Sequence, residues 1–447
     1  MSTEIPQRPQ RPQRPQRPDA ARPDDSGPDG SGAVGGLTAG QATRLRWSML
    51  YGNFALFTAY AGLIAVLLPA QVEHIDAADK VSNLALVTMA SSIATLFVQP
   101  IIGALSDRTS TRFGRRAPWM VVGAVAGAIA LVAIAHATTI LWLTVLWVAV
   151  QVLLNILQAP LTAILPDRVP AARFGTFSAF IGLGSQFGAT FGVILATGFT
   201  SRLGLGYGIL AGFVLVATLA FIAMNPDRTG TPPKEPFSWK KFAGGFWVPP
   251  KEHPDFAWAF GARLVFVLGY WGVFSFARYA LQDYVHLSAG KVNTAQAVMS
   301  VINLATMLLV AIPVSKWSDR IGRRKVFVNG AAVLLAGSLV IPLASPTLTA
   351  MYAYSVISGM GYGIYMSLDM ALMTEVLPAG GDAGKDLGIL NIATNVPQAI
   401  GPVLGSVMIS VFAHGSDKAP GYRALYLFAM VIVLLSMVFI RPIKSVE

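Results

Sequence analysis

From about residue 47 the chain is a succession of apolar runs, each near or above the ~20 residues that a helix needs to cross a bilayer. Twelve runs can be read, over roughly 47–72, 82–106, 117–136, 139–164, 174–199, 205–224, 256–284, 292–316, 326–344, 348–376, 387–413 and 423–440. The polar connections between them are short, except for "NPDRTGTPPKEPFSWKKFAGGFWVPPKEHPD" at 225–255, which reads as a cytoplasmic linker. The first 44 residues are of another kind. "QRPQRPQRPQRP" at 7–18 is a three-residue repeat, followed by a Pro/Asp/Gly/Ser stretch that cannot bury apolar area and favours extended conformations. That composition predicts a disordered cytoplasmic tail over 1–44. Arg8, Arg11, Arg14, Arg17 and Arg22 would let it touch anionic lipid.

The two groups of six runs are related by a repeat. Asp107 and Asp319 lie 212 residues apart, as do the pairs Leu165-Pro166 and Leu377-Pro378, and Gln186 and Gln398. A shared offset at several landmarks indicates duplication of a six-helix unit. The predicted fold is therefore all-α and integral to the membrane, with twelve transmembrane helices in two pseudo-symmetric six-helix bundles. The bundles run over 45–224 and 256–441, and a short cytoplasmic C-terminus follows at 442–447.

Charge orients this arrangement. Only 12% of residues are charged, about half the usual share of a soluble domain, although the net charge is +11. An even number of spans puts both termini on one side. With that side cytoplasmic, five of the 33 Lys and Arg residues fall in loops predicted outside: Lys80, Arg202, Lys291, Lys418 and Arg423. Arg263 and Arg278 fall within spans, and all the others lie inside, as the positive-inside rule requires. The expected location is the cytoplasmic membrane, multi-pass, with both termini in the cytoplasm. The positive charge is thus a topology signal and not a nucleic-acid surface. The absence of cysteine and the scatter of His74, His136, His253, His286 and His414 offer no metal-ligand spacing. No cofactor, metal or enzymatic chemistry is expected, and the chain is expected to act as a monomer.

Two basic knots stand out against the apolar background: "GALSDRTSTRFGRR" at 103–116, and "SDRIGRR" at 318–324. They resemble the loop motif of the major facilitator superfamily, which closes helix 2 and recurs at the end of helix 8. The longer first copy, and "EVLPAGGDAGKDLGILNIATNVPQAIGP" at 375–402, are similar to the glycoside/pentoside/hexuronide cation symporter and sucrose-transporter-like branch. The resemblance implies a secondary transporter with a cytoplasmic gate made by Gly103, Asp107, Arg108, Gly114, Arg115 and Arg116, and by Asp319, Arg320, Gly322, Arg323 and Arg324. In that gate Asp107 would face the N-terminal end of helix 11 and Asp319 that of helix 5, where a carboxylate meets the positive end of a helix dipole.

Polar side chains are costly in a membrane and mark cavities or bundle interiors. Helix 4 carries Gln151, Asn155 and Gln158 on one face, and helix 11 carries Asn391, Asn395 and Gln398 at the same spacing. Helix 10 carries Tyr362, Tyr365 and Asp369; Asn53 and Tyr60 in helix 1, Tyr270 in helix 7 and Asn303 in helix 8 complete the candidate substrate contacts. Amides and phenols donate and accept hydrogen bonds without net charge, which suits a neutral hydroxylated solute. Interhelical hydrogen bonding is the competing role, most of all for helix 11. Helices 3, 6, 9 and 12 are the least polar and are expected to face lipid. Gly184, Gly188 and Gly192, with Gly401 and Gly405, read as close-packing positions.

Within the spans the charges are few. Arg263 and Asp369 are expected to pair, either as a static structural ion pair or with Asp369 exchanging a proton when the pair separates. The predicted spans of helices 1 to 6 hold no Asp or Glu, unlike the symporters the motif resembles. The expected function is alternating-access transport of a sugar, glycoside or similar polar solute. It could run as proton symport through Asp369, as facilitated diffusion, or as export. A drug or metabolite efflux antiporter is the alternative, and a non-transporting solute sensor is the rival from another class.

Overall fold

The computed structural model describes residues 38–96, 98–170, 173–226, 251–376, 383–415 and 417–443; the side chains at 319, 370, 371, 374, 375 and 383–391 are outside that description. The QRP repeat and most of the 225–255 linker fall outside the described residues.

In the first half the long helices are α1 (Ala39–Ile75), α2 (Lys80–Arg108, described on either side of residue 97), α3 (Ala117–Ile134), α4 (Ile140–Arg168), α5 (Phe174–Thr197) and α6 (Leu203–Met224). The second half contributes α7 (Pro254–Phe274), α8 (Ala289–Ile321), α9 (Arg324–Ala344), α10 (Leu348–Val376), α11 (Ala383–Phe412) and α12 (Ala419–Ile440). Among the described residues eleven helices are long and apolar enough to cross a membrane, and the 29-residue α10 joins them. Two isolated bridges, Thr111 with Gly114 and His414 with Asp417, are the extended pairings among the described residues.

The helices pack as two copies of one plan. In the first half α1 packs on α5 and α6, α2 on α4, and α3 on α4 and α6. Six helices later, α7 packs on α11 and α12, α8 on α10, and α9 on α10 and α12. The halves meet where α2 lies along α11 and α5 along α8, and these two seams exchange under the same relation. The duplication expected from the 212-residue offset is thus an architectural pseudo-two-fold. α3, α6, α9 and α12 carry large exposed apolar side chains such as Ile129, Val216, Val333 and Val431, which suits a face toward lipid.

Helix boundaries depart from hydropathy at three places. α1 begins at Ala39, well before residue 47, because Thr38 and Gln41 form a capping box: the Gln41 N–H donates to Thr38 Oγ1 (3.3 Å) and the Thr38 N–H to Gln41 Oε1 (3.0 Å). The same helix runs on to Ile75, past the predicted end of the span at 72, and carries Glu73 in its last turn. The run predicted as one helix over 256–284 ends as an α-helix at Phe274, bends at Ser275 and Phe276, and resumes as Ala277–Tyr279 and a π turn over Ala280–Tyr284. α1 has a π turn of its own over Leu63–Leu67, packed against Ala277–Tyr279. The pseudo-equivalent helices α1 and α7 both leave regular geometry at the end where they meet.

Close approach fixes the α1–α5 seam. A Cβ built on Gly184, Gly188 or Gly192 would lie 2.2, 2.3 or 2.1 Å from the carbonyl oxygens of Leu50, Phe54 and Thr58 respectively. Glycine lets these backbones touch, and Thr58 Oγ1 adds a hydrogen bond to Gly188 O at 3.2 Å. In the second half a Cβ on Gly401 would meet Gly272 N at 3.0 Å, and one on Gly405 would meet Gly272 O at 3.0 Å, on the equivalent α7–α11 seam.

Candidate functional site

Midway along the first half, three helices bring amides and a phenol together. Gln99 Nε2 on α2 donates to Asn155 Oδ1 (2.7 Å) and Gln158 Oε1 (3.0 Å) on α4, and Tyr60 Oη on α1 donates to Gln158 Oε1 (3.2 Å). With its oxygen accepting twice, Gln158 keeps its two N–H donors for another acceptor. Asn155 is further fixed by donating to the Gln151 carbonyl, one turn back (2.8 Å). Tyr60, Gln158 and Gln99 are half-buried. Gln99 was missing from the sequence expectation; an amide in the apolar run before Pro100 is the signal that could have found it.

In the second half α7 and α10 run antiparallel, and their polar stripes interlock as three rungs. Tyr270 stacks on Tyr362 (ring centroids 4.2 Å apart, 14° between planes), and Phe266 stacks on Tyr365 (3.6 Å, 6°). Arg263 pairs with Asp369, as expected, and reaches α11 by donating from Nη2 to Thr394 Oγ1 at 2.8 Å. The lower two rungs are buried, whereas Tyr270 and Tyr362 stay half-buried. Tyr365 is therefore committed to the α7–α10 seam. Thr394, which bonds Arg263 from α11, is the neighbour in sequence of Asn395, a candidate substrate contact.

The other candidates are placed apart from these clusters or beyond description. Asn53 is buried and donates to the Met49 carbonyl of its own helix (2.8 Å). The Asn303 backbone packs against Gly359 of α10. Asn395 is half-buried on α11, and the Asn391 side chain lies outside the described residues.

At the motif end, Gly114 has φ +93° and Gly322 has φ +71°, the left-handed region that glycine tolerates. Gly322 ends α8 as its C-cap, and Gly114 closes a turn in which its N–H donates to Thr111 O (2.9 Å). Nothing lies within 4 Å of a Cβ built on Gly103, so its side-chain space is open. Asp107 pairs with Arg116, at the start of α3 (2.5 Å); the start of α11, which it was expected to face, lies among side chains outside the described residues. Arg116 also donates from Nε to Asp167 Oδ2 (2.9 Å), and Arg115 pairs with Asp167 Oδ1 (2.5 Å). Asp167, at the end of α4, was missed by sequence and is the acid that fixes both arginines. The Asp319 side chain lies outside the described residues; Arg320 lies in the last turn of α8, and Arg323 and Arg324 begin α9.

At the opposite end the halves are tied by polar contacts. Lys80 Nζ, at the start of α2, meets Glu73 Oε1 (2.9 Å), Asp283 Oδ1 (3.0 Å) and Gln282 Oε1 (3.0 Å). Gln282 Nε2 donates to Glu73 Oε2 (2.9 Å), and Tyr279 Oη donates to Pro69 O (2.8 Å). Pro69 has no N–H, so the Ala65 carbonyl lacks its ordinary i+4 donor; Gln296 Nε2 of α8 donates to it at 3.0 Å. Asn293 Nδ2 donates to Thr200 Oγ1 at 2.7 Å. Midway, Gln186 on α5 reaches Met307 Sδ on α8 (2.7 Å).

Twelve long helices among the described residues, an internal pseudo-two-fold and a motif turn repeated at the same place in each half all match one known family. Its model, the Major Facilitator Superfamily, covers residues 49–301 and 259–447. The chain belongs to the Major Facilitator Superfamily. Among relatives of this superfamily chain, an uncharacterized MFS-type transporter of Mycobacterium tuberculosis is 26% identical over 383 residues, 78% of this chain and 84% of that protein. A sucrose transport protein of Arabidopsis thaliana is 33% identical over 119 residues, 22% of this chain and 23% of that protein, so the chain matches under a quarter of its length. A fujikurins efflux protein of Gibberella fujikuroi is 25% identical over 268 residues, covering 59% of this chain and 53% of that protein. Among solved structures, a mutant of the nucleoside transporter NupG superposes with a TM-score of 0.72 at 14% identity, over 90% of this chain and all of that one. An inward-facing bacterial homolog of the lysosomal transporter Spinster gives 0.71, also at 14%, over 90% of this chain and 97% of that one. The protein is thus a multi-pass membrane transporter of small-molecule solutes with the fold its motif implied.

Proposed function

We propose that this transporter moves an uncharged, hydroxylated solute, a sugar or glycoside, by alternating access between its two bundles, and that Asp369 carries a coupled proton. The observation behind the substrate class is the Tyr60–Gln99–Asn155–Gln158 cluster, which gathers donors and acceptors without net charge and leaves the Gln158 amide hydrogens directed by bonds to its oxygen. Across the midline the half-buried Tyr270–Tyr362 stack offers an aromatic face on which the apolar side of a sugar ring can lie. The pairing of Arg263 with Asp369 supports the coupling role. A proton on Asp369 removes the charge that holds Arg263 and frees α7, α10 and α11 to shift against one another. In this reading the arginine-rich loops face the cytoplasm, and the 225–255 stretch links the two bundles there.

The efflux relatives give export a second reading, in which a less polar solute leaves against an inward proton flow. The amide cluster favours the polar solute. Uptake of labelled neutral sugars and aryl glycosides into proteoliposomes, with and without an inward proton gradient, tests the proposal. Gradient-driven accumulation of a sugar supports it. Saturable uptake that only equilibrates removes the proton from it. Folded protein that takes up no sugar overturns it in favour of export.

A further inference from the structure

We infer that Lys80 is the keystone of a gate at the end opposite the motif loops, holding the two bundles together there until the transporter opens to that side. Local forces argue against this residue where it stands. Lys80 is the first residue of α2, where the helix dipole disfavours a cation. It is one of five basic residues in loops predicted outside. Its side chain is only 6% exposed, and a buried ammonium is costly unless paired. What holds it there is tertiary. Its three N–H donors meet three acceptors: Glu73 from the first bundle, and Gln282 and Asp283 from the second. The Tyr279 ring lies 4.8 Å from Nζ.

Each neighbour of Lys80 is itself anchored. Tyr422 Oη of α12 donates to Asp283 Oδ2 at 3.1 Å, and Gln282 crosses back to Glu73. Below this layer Arg278 donates to Asn293 Oδ1 and Gln296 Oε1, both at 2.9 Å, and those two amides make the further cross-bundle bonds to Thr200 and Ala65. The Asp76 side chain accepts from the Asp79 N–H (3.1 Å) and Asn83 Nδ2 (3.0 Å), which shapes the turn that presents Lys80. Removing Lys80 leaves Glu73 and Asp283 facing each other as like charges from opposite bundles, so the same substitution both unties the gate and repels its halves.

The inference rests on the alternating-access reading above, but its test needs no solute. The chain has no cysteine, so a single Ala65→Cys places one thiol beneath the gate while keeping the backbone carbonyl that Gln296 bonds. The full chain in oriented proteoliposomes is treated with a membrane-impermeant maleimide from the side carrying Lys80. Lys80→Ala is expected to raise the labelling rate about tenfold over the parent, and Lys80→Arg, which keeps the charge, to stay near the parent. Equal rates for parent and Lys80→Ala overturn the inference, as does Lys80→Arg behaving like Lys80→Ala. Should Lys80→Ala not fold, Glu73→Gln with Asp283→Asn keeps the lysine and removes both charged partners; it is expected to label faster, and a parental rate overturns the inference. A sugar panel that fails while labelling responds as expected rejects the substrate class and leaves the gate standing.

Discussion

Gly188→Ala puts a methyl group where α1 and α5 touch backbone to backbone. Its Cβ would lie 2.3 Å from Phe54 O and 2.9 Å from Phe54 C and Cα. Ordinary C···O contact begins near ~3.3 Å, so the helices must separate by about 1 Å. Sliding gives no relief, because Gly184 and Gly192 bind the same seam at equally short range one turn to either side. A gap of that size forfeits a quarter to a half of the attraction at each contact it opens. It also lengthens the Thr58 hydroxyl bond to Gly188 O. Overpacking of this kind costs about 1–3 kcal/mol. Gly182, on the same helix, is the control, since a Cβ there meets nothing within 4 Å. At that site alanine should be neutral or stabilising, because glycine in a helix is about 1 kcal/mol worse than alanine. Thermal unfolding in detergent, followed by tryptophan fluorescence, should show Gly188→Ala melting clearly below the parent and Gly182→Ala at or above it. Coincident midpoints for the two variants would refute the argument that this seam is set by backbone contact.

Other substitutions address the remaining parts. Gln158→Ala removes the two amide N–H groups that the proposal turns toward the solute; at about 0.5–1.5 kcal/mol for each hydrogen bond lost, the apparent KM for the solute should rise roughly tenfold, as read by initial uptake rates. Asp369→Asn removes the carboxylate charge paired with the buried Arg263, at a cost of about 3–5 kcal/mol, and should abolish proton-driven accumulation while exchange of preloaded solute survives; adding Arg263→Gln should recover much of the lost thermal stability. Gly322→Ala forces a side chain into the left-handed region at φ +71° and should destabilise by about 1–2 kcal/mol, whereas Gly103→Ala, inside a helix with open space around it, should melt at or above the parent in the same assay.

The spans were legible because lipid imposes one rule on every outward position, and hydropathy reads that rule directly. The duplication was legible because landmarks such as Asp107 and Asp319 kept their spacing. Helical periodicity placed Tyr362, Tyr365 and Asp369 on one face, and the structure puts all three against α7. It could not tell which of them a neighbour would occupy: Phe266 carries no polar signal, yet it is what covers Tyr365. Gln99, Thr394 and Asp167 were missed because each matters through a partner on another helix, far away in sequence. The gate at Lys80 was hidden for the same reason. Glu73 sits just past the last residue that hydropathy assigns to helix 1, and Asp283 beyond a bend at Ser275 and Phe276 that the apolar run conceals. The asymmetry of basic residues did mark Lys80 as an exception, although it did not say what the exception was for.

The most direct measurement of the central claim is initial-rate uptake of a labelled neutral sugar into proteoliposomes, comparing the parent with Gln158→Ala under an inward proton gradient. The account predicts saturable accumulation by the parent and a raised KM in the variant. A folded parent that moves no neutral sugar, or a variant with unchanged KM, would contradict it.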